Sequence, residues 1–117
     1  MLLTGARPRI GKTGPMLRGD IWFADAPGGD RPVLVLTRDP LADRIGSVVV
    51  AVLTRTERGL VSELALSADT DGVPTDCVVN FDNIHTVDRS RFRRHVTTLS
   101  PARMAEACQV LLSATGC

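Results

Sequence analysis

A mainly β fold closed by one C-terminal helix is what the sequence predicts: an α+β chain built as a small, strongly curved barrel or two-layer sheet. Three observations carry this. Six or seven short β-prone runs, each punctuated by a turn, fill residues 19 to 99. The last segment then switches to a helical period between two clear caps. The patterned part, about 100 residues, is enough for one core and no more.

The elements follow in order. "DIWFADA" (20–26) is β-prone and ends at the turn Pro27-Gly28-Gly29. "RPVLVLT" (31–37) opens with a proline, which a strand accepts among its first residues. "DPLADRIG" (39–46) reads as one helical turn or a loop, and "SVVVAVLT" (47–54) as the most hydrophobic strand. "LVSELALS" (60–67) places Ser62 on the face of Leu64 and Leu66, a partly exposed strand. After a turn over 68–76, "CVVNFDN" (77–83) alternates, with Asn80 and Asp82 sharing one face. "IHTVD" and "RRHVTTL" predict two further short strands around a bend near 88–91. Ser100 is an N-cap and Pro101 a first helical residue. Met104, Ala107, Cys108, Leu111 and Leu112 form the apolar stripe of a four-turn helix that Gly116 stops.

Bulk properties exclude several classes. Hydrophobic content of 44% with 23% charged residues describes an ordinary soluble domain. No apolar run approaches the roughly 20 residues of a membrane span. Cys77, Cys108 and Cys117 lack metal-ligand spacing and read as buried free thiols of a cytoplasmic protein. His85 and His95 have no carboxylate at ligand spacing, so neither a metal site nor a cofactor is expected. A Ser or Cys nucleophile lacks any local motif. Net charge is only +1, although thirteen of fourteen basic residues are Arg, the better fork for phosphate. With four aromatics and no Tyr, a stacking platform for many bases is not expected.

Residues 1–15 hold "ARPRIGKTGP", which satisfies the permissive phosphate-loop pattern through Ala6, Gly11, Lys12 and Thr13. Such a loop needs a strand before it and a helix after it. Only five residues precede the match, and Gly14-Pro15 breaks any helix behind it. The segment is basic, without acids and without the apolar core of a secretory signal. It reads as a disordered or non-native leader before a single domain at 16–117.

Three local features could carry chemistry. Arg31, at a strand mouth after the Pro-Gly-Gly turn, can aim a fork at an anion, or can be a solvated surface residue. Thr54-Arg55-Thr56 ends the most buried strand, where a hydroxyl and a guanidinium could hold a phosphate, or where Thr is merely β-prone. "VVNFDNIHTVD" (78–88) gathers Asn80, Asp82, Asn83 and His85, or else Asp82 and Asn83 satisfy turn backbone. The run Arg89, Arg91, Arg93, Arg94 reads as a solvated face or an acidic partner's landing site.

Together, "RGDIWFADAPGGDRPVLVLT", "VVVAVLTRT" and "DCVVNFDNIHTVD" resemble the MazF/PemK family of toxin endoribonucleases, most of all its mycobacterial branch, over residues 18 to about 115. The resemblance implies a homodimer of small SH3-like, PemK-type barrels, silenced by a MazE-like antitoxin. It implies sequence-selective cleavage of single-stranded RNA without metal. Messenger RNA is the expected target, with ribosomal or transfer RNA as alternatives. The substrate's 2′-hydroxyl would attack the adjacent phosphate, giving a 2′,3′-cyclic phosphate and a 5′-hydroxyl, so DNA should survive. Arg31 matches the active-site Arg, expected to stabilise the phosphorane charge. Thr54 matches the hydroxyl that orients phosphate or 2′-hydroxyl, and Asp82 an acidic position some members use as general base.

Two departures matter. The loop "PGGD" (27–30) is shorter than in many members, and position 80 is Asn where some carry a catalytic Arg, with Arg55 as a candidate substitute. The cleavage sequence is therefore not inherited, and Arg55, Asn83 and His85 are the expected base-reading residues. Two alternatives remain: a toxin of the same fold that binds DNA gyrase, and an inactive paralogue that only binds antitoxin. The terminal helix lacks the aromatic wedge that would favour the first, while Arg31 and Thr54 favour RNA cleavage.

Overall fold

The structure, a computed structural model, describes residues 15–117. The leader and its phosphate-loop match lie outside the described residues, apart from Pro15. Six strands form one antiparallel sheet: β1 (Asp20–Ala26), β2 (Gly29–Val35), β3 (Ser47–Thr54), β4 (Glu63–Leu66), β5 (Cys77–Asp88) and β6 (Phe92–Thr98). Their order is β4-β5-β3-β2-β1-β6. Among the described residues the α-helices are a single turn, α1 (Ala68–Asp71), and the terminal α2 (Pro101–Thr115), with short 3-10 turns at Leu41–Asp43 and Arg89–Arg91.

Strand alternation sorts the core into two clusters, one on each face of a curled sheet. Trp22, Val33, Val35, Val50, Val52, Val87 and Phe92 pack on one face, with Met16 beneath. Ile21, Leu34, Ala51, Leu53, Val79 and Phe81 line the other, which carries α2. Register shifts between Ile21 and Trp22 and between Phe23 and Ala24 bend β1 where it pairs with β6.

The expected helix appears with its caps. The Ser100 hydroxyl accepts from the Arg103 N–H, and Gly116 ends the helix at φ 75°. Its packing is shallower than the stripe predicts. Ala107 alone is buried, Val110 and Ala114 join Met104 and Leu111 on the sheet, and Leu112 is 46% exposed. What holds the helix is Arg103, whose guanidinium donates to Asp71 at 2.9 Å, to Glu106 at 2.8 Å and to the Ala65 carbonyl. These carboxylates raise the Arg103 pKa further, Asp71 first.

Three other expectations are revised. The runs at 77–83 and 84–88 form one twelve-residue strand rather than two. The turn at 68–76 contains α1, because Ser67 caps it and Gly72 closes it at φ 79°. The thiols are free but not buried: Cys77 and Cys108 are half-buried and Cys117 is exposed.

Candidate active site

Arg31 owes its position to the turn before it. Gly28 and Gly29 have φ of 95° and 117°, conformations that side chains rarely adopt. A Cβ on Gly28 would lie 3.4 Å from the Arg31 guanidinium, which itself donates to the Gly28 carbonyl at 3.3 Å. The Arg31 Nε is buried without a hydrogen-bond partner among the described residues. No carboxylate there pairs with the group either, so a fixed cation is held with donors to spare.

Thr54 meets it across the sheet. β2 and β3 pair Val33 with Val52 and Leu34 with Ala51. Continuing that register two residues sets Arg31 opposite Thr54, on the face of Val33 and Val52. The Thr54 hydroxyl accepts from the Thr56 N–H at 3.3 Å, which leaves its own proton available. β5 continues the row, since Val52 pairs with Asn80 and Thr54 with Val78. Asn80 therefore projects toward the side that Arg31 and Thr54 share.

Asp82 does not follow by alternation, as the sequence expectation had it. Between Val52–Asn80 and Ala51–Ile84 the register jumps, so Phe81, Asp82 and Asn83 form a bulge in β5. Within it the Asp82 N–H donates to the Asn80 side-chain oxygen at 2.9 Å. The exposed Asp82 carboxylate accepts from the Ser62 hydroxyl at 2.5 Å. Ser62 is 4% exposed, although its place on the face of Leu64 and Leu66 predicts a partly exposed strand. Its sequence signal was a lone hydroxyl among core positions. Beside it, the Glu63 carboxylate accepts from the Arg58 and Leu60 N–H groups and ties down the loop from Arg55 to Ser62.

The three expected base-reading residues separate. Asn83 and His85 are joined, Oδ1 to Nε2 at 2.6 Å. His85 pairs with Val50, four positions from Thr54, or about 13 Å along the strand. The His85 and Thr54 side chains are too far apart to hold the same small anion. Arg55 alternates away from Thr54 and lines a cleft of about 210 Å³ on the other face, together with Thr54, Phe23 and Arg94. Sequence reading missed Phe23 altogether and left Arg94 inside a run of cations.

That run is mostly neutralised. Arg89 pairs with Asp43 at 3.3 Å, Arg91 with Asp25 at 2.8 Å and Arg93 with Asp30 at 3.4 Å. Arg94 instead lies over the Phe23 ring, 5.1 Å from its centroid. Among the described residues, no group of three His, Cys, Asp or Glu side chains could hold a metal ion. No described helix is long and apolar enough to cross a membrane.

The sequence profile of PemK-like, MazF-like toxins of type II toxin–antitoxin systems matches residues 17–114. The chain belongs to this family. It is 71% identical to "Probable endoribonuclease MazF2" of Mycobacterium tuberculosis over 102 residues, 87% of this chain and 100% of that one. It is 36% identical to "Probable endoribonuclease MazF5" of the same organism, covering 86% of this chain and 93% of the relative. Among solved structures, M. tuberculosis toxin MazF-mt6 superposes with a TM-score of 0.77 at 29% identity, over 83% of this chain and 96% of that one. A mycobacterial endoribonuclease in complex with its cognate antitoxin gives 0.76 at 27% identity, over 86% and 95%. The PemK/MazF fold expected from the motifs is thus the fold found, and in this toxin Arg31 and Thr54 stand on facing strands.

Proposed function

We propose that this toxin is a sequence-selective endoribonuclease that cuts single-stranded RNA by transesterification without a metal. What supports it most is the β2–β3 register, which extended by two residues sets Arg31 opposite Thr54, together with a guanidinium that no carboxylate of the described residues neutralises. The substrate's 2′-oxygen bonds to phosphorus and the P–O5′ bond breaks. The 2′-hydroxyl proton passes to the Asp82 carboxylate, and the 5′-oxygen takes a proton from solvent water as it leaves. The protein needs to align the attack, absorb charge on the phosphorane and move two protons. Arg31, a cation that does not give up its proton, is suited to the charge. Thr54 donates to the phosphate or holds the 2′-hydroxyl. Asp82 is proposed as the base from the bulge beyond Asn80, its carboxylate held by Ser62.

The same reading assigns the toxin domain to 16–117 and makes the working unit a cytoplasmic homodimer. The half-covered apolar side of α2, with Leu112 exposed, is consistent with further burial in such a dimer. Its inhibitor is a MazE-like antitoxin whose acidic tail covers the unneutralised arginines and folds on binding.

The test is incubation with a long single-stranded RNA in EDTA, beside Arg31→Ala and Thr54→Ala. Discrete fragments with 5′-hydroxyl ends, absent from both variants, are expected. Intact RNA from folded protein, tried on several substrates, would overturn the assignment in favour of a gyrase-type binder or an antitoxin decoy. Cleavage persisting in both variants would move the active site elsewhere.

A further inference from the structure

We propose that the cleft shared by Thr54, Phe23, Arg55 and Arg94 is a specificity subsite that receives one unstacked base next to the scissile phosphate. This rests on the ribonuclease reading above and adds two residues to it, Phe23 and Arg94.

Four properties of the cleft favour a base. Its size is the first. About 210 Å³ is below the roughly 300–1,000 Å³ of pockets for drug-sized ligands, which suits one small planar group. Its lining includes the apolar Ile21, Leu53, Val73 and Val96, with Thr75 and Arg55 among them as donors for a base edge.

The second is the ring. Of the four aromatics, Trp22, Phe81 and Phe92 are at most 2% exposed. Phe23 alone is half-exposed, at a strand position where alternation would otherwise bury an aliphatic residue beside Ile21 and Leu34. One accessible ring is too little for a multi-base platform, but it is what a single-base subsite needs.

The third is the charge pattern. Arg89, Arg91 and Arg93 each have an aspartate, whereas Arg94 and Arg55, the two that line the cleft, have none among the described residues. The guanidinium over one face of Phe23 leaves its own outer plane and the ring's exposed edge for a base to stack and pack against. Two unneutralised cations also complement the phosphates on either side of that base.

The fourth is place. Thr54 is the last residue of β3, where the face of Arg31 meets the cleft on the other face, so a nucleotide adjoining the phosphate under attack can turn round the strand end and seat its base there. Asn83 and His85, about 13 Å along the strand from Thr54, would then read a nucleotide further away.

The experiment compares wild type with Phe23→Leu and Arg94→Gln. Both are mild changes at half-exposed or surface positions, and thermal melting checks that each variant folds. Cleavage sites are mapped on a randomised RNA, and kinetics are then measured on the preferred oligonucleotide and on versions abasic at each position flanking the cut. Expected is a loss in kcat/KM on the order of ten-fold for each variant, carried by KM, with relaxed preference at one flanking position. The abasic substitution at that position should cost wild type a similar factor and erase the difference between wild type and variants. An unchanged site profile, or a difference that persists on every abasic substrate, would overturn the subsite while leaving the ribonuclease intact. Variants that turn monomeric by light scattering, or that lose only antitoxin binding, would assign the cleft to a protein partner and also overturn it. A wild type that cuts no RNA would overturn both readings together.

Discussion

At one end of the β1–β2 hairpin, Asp20 is fully buried and saturated. It accepts from the Leu17 N–H at 2.9 Å, the Trp22 indole at 3.2 Å and the Thr98 hydroxyl at 2.6 Å, with His95 Nε2 at 3.4 Å. At the other end Arg31 is held by one backbone carbonyl, and its Nε finds no partner among the described residues. A buried charge with every lone pair used belongs to the fold. A fixed charge with donors left over belongs to something that arrives later. The two residues stand eleven positions apart on paired strands, and the contrast predicts opposite consequences when each is removed.

The largest expected effect is on chemistry. Arg31→Ala should lower kcat by roughly 10²–10³-fold, the scale for removing a donor aimed at transition-state charge. Its melting and urea transitions should stay within about 0.5 kcal/mol of wild type, since few native interactions are lost. Asp20→Ala should do the reverse. It strands an indole N–H, a hydroxyl and a backbone N–H inside the protein, at a cost of about 2–4 kcal/mol. The folded fraction should then cleave at a near-normal rate. A stable Asp20→Ala, or an Arg31→Ala that unfolds, would break the division of labour.

Much of this was legible before the structure, and the rest was hidden for physical reasons. The strands at 20–26 and 47–54 and the capped helix were readable because local patterning and caps agree with the final packing. The R-G-D-I-W start stood out as a motif without showing why. Asp20 is the buried hub for β1 and β6, and Gly19 sits at φ 91° under Met104. Arg31 and Thr54 stood out at strand ends and matched the resemblance, but that they face each other follows only from extending the β2–β3 register by two residues. The bulge at 81–83 was invisible, because alternation across Asn80 and Asp82 looks regular until β3 and β4 impose their pairings. Phe23 escaped because an aromatic in a strand reads as core, and nothing local says that it lies at an open cleft.

A smaller test sits on the turn that aims Arg31. Gly28→Ala forces a side chain into φ 95° and brings a methyl within 3.4 Å of the guanidinium. The backbone strain should cost about 1–2 kcal/mol, measured by urea unfolding. Displacement of Arg31 should add a drop in kcat on the order of ten-fold beyond that. Gly29→Ala, at φ 117° but with open space around the added carbon, separates the two effects. It should cost stability with little change in kcat.

The smallest effect reads the electrostatics at the functional end through Cys77, which lines the cleft beside Thr54 and Arg55. Burial first, then Asp76 and Asp71, raise its thiol pKa, while Arg55 pulls the other way. A thiol raised in the folded state lends stability that is complete below the ordinary thiol value. That stability is lost as pH climbs through this value and toward the raised one. Urea midpoints should therefore fall modestly above about pH 9, and Cys77→Ser should remove that part of the decline. At neutral pH Cys77 should alkylate more slowly than exposed Cys117, followed by mass spectrometry. Arg55→Gln removes the one lowering influence and should slow Cys77 further, leaving Cys117 unchanged. If Cys77 instead ignored Arg55, the guanidinium would be spending its time away from the cleft, on the Asn80 side, where a substitute for the missing arginine would be needed.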